Sequence, residues 1–188
     1  MNAITYKEVF PLIQKNKIWP GSRFNKRLNG KNMTFYVPDD YDLSGTEVEV
    51  NNEGKKMISV AGTGWFTNLD HGIRHQFIPL MTMADNIKFS KHIEVKGLEY
   101  QKYDNYNAIE IPFTDAIPSD YDGVMGVPIS FLPKYNPEQF EIIEMLSSAG
   151  GGCMGTFPTN EVGQKIKDKR PLINGKNTYA RILLKHKK

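Results

Sequence analysis

Four histidines, one cysteine and a scatter of acids are the groups in this 188-residue chain that could do chemistry. His71 and His75 stand four residues apart, a spacing that puts two imidazoles on one helical face and suits a metal. A zinc-protease motif needs Glu directly after the first histidine, and Gly72 stands there. With one cysteine and only His92 nearby, histidines of a turn or a surface are the better reading. Gly62-Thr63-Gly64 follows the apolar Ile58-Ser59-Val60, as a nucleotide-binding loop would. Thr67 stands where the third glycine belongs, and extended chain follows instead of a helix, so a bulged strand fits better. Cys153 lies among glycines with no histidine close in sequence, which speaks against a nucleophile. Asp120 and Asp122 before Gly123 open like a calcium loop, but the ligand pattern stops there, leaving a turn before a strand.

The elements that must position these groups are short. Thr5 and Glu8 fit a capping box, and Val9, Phe10, Leu12 and Ile13 supply an apolar face, which predicts a helix from Tyr6 to Lys15 bent or shortened by Pro11. Residues 21–31 are a cationic loop rich in Gly and Asn, and 33–37 a strand. Thr46 to Val50 and Lys56 to Val60 flank Asn51-Asn52-Glu53-Gly54 as a β-hairpin, the second strand running on past Gly62 and Gly64 to Leu69. Met81 to Tyr106 reads as irregular. Ala108 to Phe113 and Val124 to Phe131 read as strands limited by Pro112 and Pro128. Asn136-Pro137-Glu138 opens a helical turn, and Phe140 to Leu146 is an apolar run of either type. Asn174-Gly175 marks a second hairpin, after a flexible loop at 147–156. The sum is α/β or α+β.

Composition fits a soluble globular protein, with 39% apolar and 24% charged residues. No apolar run approaches the roughly 18–20 residues that span a bilayer. The start of the chain has no signal-peptide pattern, and the single cysteine suits a reducing compartment, so the cytoplasm is expected. The net charge of +3 hides a pattern. Residues 1–31 carry seven Lys/Arg against one acid, residues 151–188 nine against two, and the stretch between them eight against eighteen. Two basic ends around an acidic middle can converge on a polyanion, although a solvated surface with a basic tail gives the same count.

Several segments, taken in order, resemble the EcoRI-type adenine-specific DNA methyltransferase family. They are Asn2-Ala3-Ile4-Thr5-Tyr6-Lys7-Glu8-Val9-Phe10-Pro11-Leu12-Ile13 with Lys17-Ile18-Trp19, then Trp65-Phe66-Thr67-Asn68-Leu69-Asp70-His71, then 103–110. The most specific block joins Tyr121-Asp122-Gly123-Val124-Met125-Gly126-Val127-Pro128-Ile129 to 134–142, and Asn174-Gly175-Lys176, Tyr179 and Arg181-Ile182 close the match. The family's donor-binding glycine motif and its Asn-Pro-Pro-Phe motif are missing, since none of the 11 prolines adjoins another. In that motif a side-chain oxygen and a backbone carbonyl accept hydrogen bonds from the target amine and aim its lone pair at the methyl donor.

The resemblance therefore implies the C-terminal part of a restriction-modification methyltransferase. Residues 1–69 would be the end of a Rossmann-like catalytic core and 70–188 a β-rich DNA target-recognition region. S-adenosylmethionine would serve the full-length family, with no cofactor and no catalytic residue expected in this chain alone. Double-stranded DNA and a separate N-terminal segment are the implied partners. Trp65 and Phe66 are the candidates for stacking on an extruded base, alternation placing one of them on the pocket side. Phosphate contacts would fall to Arg23, Lys26, Arg27, Lys31, Lys165, Lys167, Lys169, Arg170 and Lys176. The alternatives are a stand-alone DNA-binding module and a β-rich protein-interaction domain.

Overall fold

The apolar runs at 125–128, 140–146 and 181–186 meet in one sheet, and most of the buried side chains lie against it. A computed structural model describes residues 4, 6, 8–21, 33–40, 48–60, 63–147 and 169–187. Within them the chain forms α1 (Phe10–Gln14), β1 (Trp19–Pro20), β2 (Met33–Tyr36), β3 (Val48–Val50), β4 (Lys56–Val60), β5 (Phe66–Thr67) and α2 (Met83–Phe89). It continues with β6 (Ile109–Glu110), β7 (Met125–Pro128), β8 (Phe140–Leu146), β9 (Leu172–Ile173), β10 (Lys176–Asn177) and β11 (Arg181–His186). This is the mixed α/β class that the patterning predicts.

The main sheet has the order β6-β7-β11-β8. β11 is antiparallel to both neighbours, Ile182 facing Val127 on one side and Met145 on the other, and β6 runs parallel to β7. Ile182 and Leu184 point into the larger core, whereas Leu183 joins Tyr103, Ala108 and Leu146 in a second cluster. A strand buried on both faces needs an unbroken apolar run, which is what Ile182-Leu183-Leu184 supplies. Arg181 starts the strand and forks onto Glu110, with Nη2 2.6 Å from Oε1 and Nε 3.1 Å from Oε2. Tyr103 donates its hydroxyl to the same carboxylate. Burial is the first reason that its phenol is pushed far above its ordinary range, and the Glu110 charge the second.

The opening helix is shorter than its periodicity suggests. α1 has five residues, Val9 precedes it with no side-chain cap, and Pro11 sits in its first turn. There the absent N–H would have had no partner anyway, so Pro11 is accommodated in the first turn, where an interior position would have bent the helix. Thr5 of the expected capping box lies outside the described residues. Phe10 and Ile13 are fully buried with Ile4 in the same core as β7, β8 and β11. Gln14 donates to the Ile143 carbonyl of β8.

The first hairpin forms as predicted. Asn51 Oδ1 accepts from the amides of Glu53 at 2.9 Å and Lys55 at 2.8 Å, and Gly54 takes the left-handed φ of 78°. Its strands belong to a three-stranded sheet ordered β2-β4-β3. The expected run of the second strand to Leu69 is corrected: β5 leaves that sheet and pairs with β1 in a ribbon of its own. The irregular reading of 81–106 is also corrected, because Thr82 caps α2 by accepting from the Asp85 amide at 3.1 Å. β7 stops at Pro128, and residues 129–134 turn into a 3-10 helix. Asn136 makes a tight turn with no helix beyond it, its Oδ1 accepting from Glu138 N at 2.7 Å before β8 begins.

Candidate nucleic-acid interface

The ribbon of β1 and β5 sorts its side chains by register. Trp19 faces Thr67 and Pro20 faces Phe66, and the next pair out, Gly21 and Trp65, is closed by a 2.8 Å bond from the Gly21 amide to the Trp65 carbonyl. Opposed residues of an antiparallel pair share a face, and neighbours alternate. Pro20 is buried and Phe66 packs on the larger core, so that face looks inward. Trp19, Thr67 and Trp65 share the other. Trp65 is 60% exposed. Alternation thus divides the pair singled out in the sequence: Phe66 is occupied by the core, and Trp65 is the member whose ring meets solvent.

The segment after β5 is fastened to this ribbon. Trp19 Nε1 donates to the Leu69 carbonyl at 3.0 Å, and His71 Nε2 lies 3.1 Å from the Pro20 carbonyl. A carbonyl can only accept, so that nitrogen donates, while Nδ1 is buried with no hydrogen-bond partner among the described residues. Residues 72–75 form a 3-10 turn from which Arg74 folds back, its guanidinium 3.6 Å over the Trp19 ring. Arg74 Nη2 also donates to Asn16 Oδ1 at 3.2 Å. His75 is held between two carboxylates, Nδ1 2.9 Å from Glu138 and Nε2 2.9 Å from Asp70. The bond to Asp70, then that to Glu138, raises the imidazole above its ordinary value, and the bond to His75 lowers the Asp70 carboxyl. Just beyond, Gln139 pairs with the backbone of Ile78 like a strand neighbour, accepting at 2.8 Å and donating at 2.9 Å.

His71 and His75 are therefore a ribbon clasp and an ion-pair clamp, and no group of three or more His, Cys, Asp or Glu among the described residues can hold a metal. Arg23, Lys26, Arg27, Lys31, Lys165 and Lys167 lie outside the described residues. Lys169 is not the surface cation expected of it: it is 3% exposed and its ammonium is 3.3 Å from Glu144. The cost of burying a charge requires such a partner. Arg170 is half-buried and Lys176 exposed, on either side of β9. The β9–β10 hairpin is tied to Asp104, which accepts from the Gly175 amide at 2.8 Å, and to Asn105. A cavity of about 670 Å³ lies elsewhere, lined by Glu94, Glu99, Glu110, Tyr100, Pro112 and Ile173 among others. Its carboxylates make it a poor receptacle for phosphate. No helix of the described residues is long and apolar enough to cross a membrane.

A family profile described as "Adenine-specific methyltransferase EcoRI" matches residues 1–187. The chain belongs to the EcoRI-type adenine-specific methyltransferase family. This EcoRI-type chain is 42% identical to the Type II methyltransferase M.EcoRI of Escherichia coli over 188 residues, all of its own length and 48% of the relative's. It is 32% identical to M.MgeORF184P of Mycoplasma genitalium, covering 97% of the chain and 54% of that protein. It is 28% identical to M.MpnI of Mycoplasma pneumoniae, covering 98% and 54%. The EcoRI-type chain thus spans about half the length of the curated relatives it matches. No solved structure matches it significantly. Two functional candidates of this family member escape sequence reasoning, Trp19 and Arg74. Trp19 stands in a quoted family block, but 58 residues separate Asn16 from Arg74, and no local pattern announces their meeting.

Proposed function

We propose that this chain is the DNA-contacting, C-terminal part of a site-specific adenine-N6 methyltransferase of a restriction-modification system, acting on double-stranded DNA in the cytoplasm. The observation that carries the reading is the family match across residues 1–187 in a chain with no two adjacent prolines. In this reading a separate N-terminal segment brings S-adenosylmethionine, the rest of a Rossmann-like sheet and the Asn-Pro-Pro-Phe motif. Residues 1–69 then complete the core of that segment, and 70–188 face the target.

The N6 amine of a stacked adenine is out of reach, so the base has to leave the helix, at a cost of a few kcal/mol. An exposed indole offsets part of that cost by stacking on the extruded base. Trp65 has that position, and the inward Phe66 sets its backbone. Arg170, Lys176 and the cations at 23, 26, 27, 31, 165 and 167 neutralise phosphates. Lys169 holds Glu144 instead.

Incubating the chain with duplex DNA and radiolabelled S-adenosylmethionine should leave the DNA unlabelled. Its affinity for duplex should fall as salt rises, and Trp65→Ala should weaken binding by about 1–3 kcal/mol. Methylation by the chain alone overturns the division of labour. Affinity indifferent to salt overturns the DNA contact.

A further inference from the structure

Arg74 is a cation fixed in place before any ligand arrives. A guanidinium presents five N–H donors in a rigid planar fork. Asn16, itself in the left-handed conformation at φ 52°, takes one of them, and no other acceptor is recorded for Arg74 among the described residues. The Trp19 indole 3.6 Å beneath fixes the plane of the fork. Stacking of this kind removes much of the rotamer freedom that a free arginine would lose on binding. Asp70, whose carboxyl feels the Arg74 charge, is engaged by His75. The stack stands on the ribbon face that also carries the exposed Trp65.

A structural arginine uses its donors on the protein, as the half-buried Arg181 does by placing Nε and Nη2 on Glu110 and Nη1 on the Ala180 carbonyl. Arg74 has the opposite pattern: a ring beneath it, one tether and, among the described residues, an unspent edge. An edge of parallel N–H donors fits two oxygens of one tetrahedral anion, the geometry in which guanidinium binds phosphate. We propose that Arg74, stacked on Trp19 and tethered by Asn16, is a DNA backbone-phosphate contact that sets the position of the duplex against the Trp65 face. This rests on the DNA-binding reading above and adds the register of the duplex to it.

The test is a salt titration of the full chain and its R74Q and R74K variants on three duplexes of unrelated sequence, with thermal melting as the control for folding. R74Q should bind all three about ten-fold or more weakly and reduce the log–log salt slope by about one. R74K keeps the charge but has neither the fork nor the flat face, so it should retain the slope and lose affinity. Should R74Q fail to fold, weaker R74K binding at unchanged slope still supports the assignment, and wild-type affinity in R74K overturns it. Wild-type affinity and slope in a folded R74Q overturn it too. A loss confined to one duplex places Arg74 on a base edge and overturns the phosphate contact. If the unsubstituted chain shows no salt-dependent binding, the functional reading falls, and the role of Arg74 with it.

Discussion

At the scale of single residues, His75 is the group whose chemistry is most plainly set by its neighbours. Two carboxylates, Asp70 and Glu138, share one imidazole, and each bond favours the charged ring. The folded-state pKa of His75 is therefore raised, so its stabilising effect is full below the ordinary imidazole value and fades as pH rises through the raised one. Asp70 is lowered, so its share is present above the ordinary carboxylate value and fades as pH falls through the lowered one. Between those limits both partners are ionised and the clamp is closed. All three side chains are exposed, so the effect is small and salt weakens it. Titration of the His75 ring by NMR should give a midpoint above the usual imidazole range, shifting back in Asp70→Asn. A midpoint at or below that range means the clamp does not exist in solution.

At the scale of elements, turns with their own chemistry stand apart from pairings that distance creates. Asn174 and Gly175 have φ of 51° and 72°, the left-handed pair that a two-residue hairpin demands. A β-branched side chain resists that conformation, so Gly175→Val should destabilise the protein by about 1–2 kcal/mol. Gly72→Ala, in the turn before Arg74 with nothing within 4 Å of an added methyl, should stay within about 0.5 kcal/mol of wild type. Denaturant melts of the two variants make the comparison, and equal stability of both would refute it. The same contrast explains what was legible in the sequence. Both hairpins were, because Asn51, Gly54, Asn174 and Gly175 carry the turn in their own conformations. The shortening of α1 was legible in Pro11, but not that this proline would stand in the first turn, since periodicity alone does not place the helix start. Nor was the ribbon, whose strands are joined by Trp19 facing Thr67 across a long stretch of chain. α2 had a visible signal in Thr82 and Asp85, but seven residues are too few for a clear period. Of the candidate site, the pair Trp65 and Phe66 could be named from the sequence, whereas which of the two meets solvent, and the meeting of Arg74 with Trp19, needed the fold.

At the scale of the whole molecule, the first and last described segments share one interior. Ile4, Phe10 and Ile13 touch the same cluster as Ile182 and Leu184, so the opening residues close the core that the final strand crosses. The three-stranded β2-β4-β3 sheet contributes no residue to either buried cluster, and Val50 on its edge is 63% exposed. Stability should be distributed accordingly. Phe10→Ala removes a fully buried ring and leaves a cavity against β8, at a cost of about 3–5 kcal/mol, much of the stability of a domain of this size. Because the ring belongs to the common core, the loss should appear as one calorimetric transition moved down by many degrees, with no separate step for the N-terminal residues. Val50→Ala removes surface area only and should leave that transition in place. A Phe10→Ala protein that melts like wild type, or that splits into two transitions of which only the smaller moves, would mean that α1 is an appendage of the fold. The ribbon that follows it, with Trp19 and its bound Arg74, would then have no fixed base from which to make the proposed DNA contact.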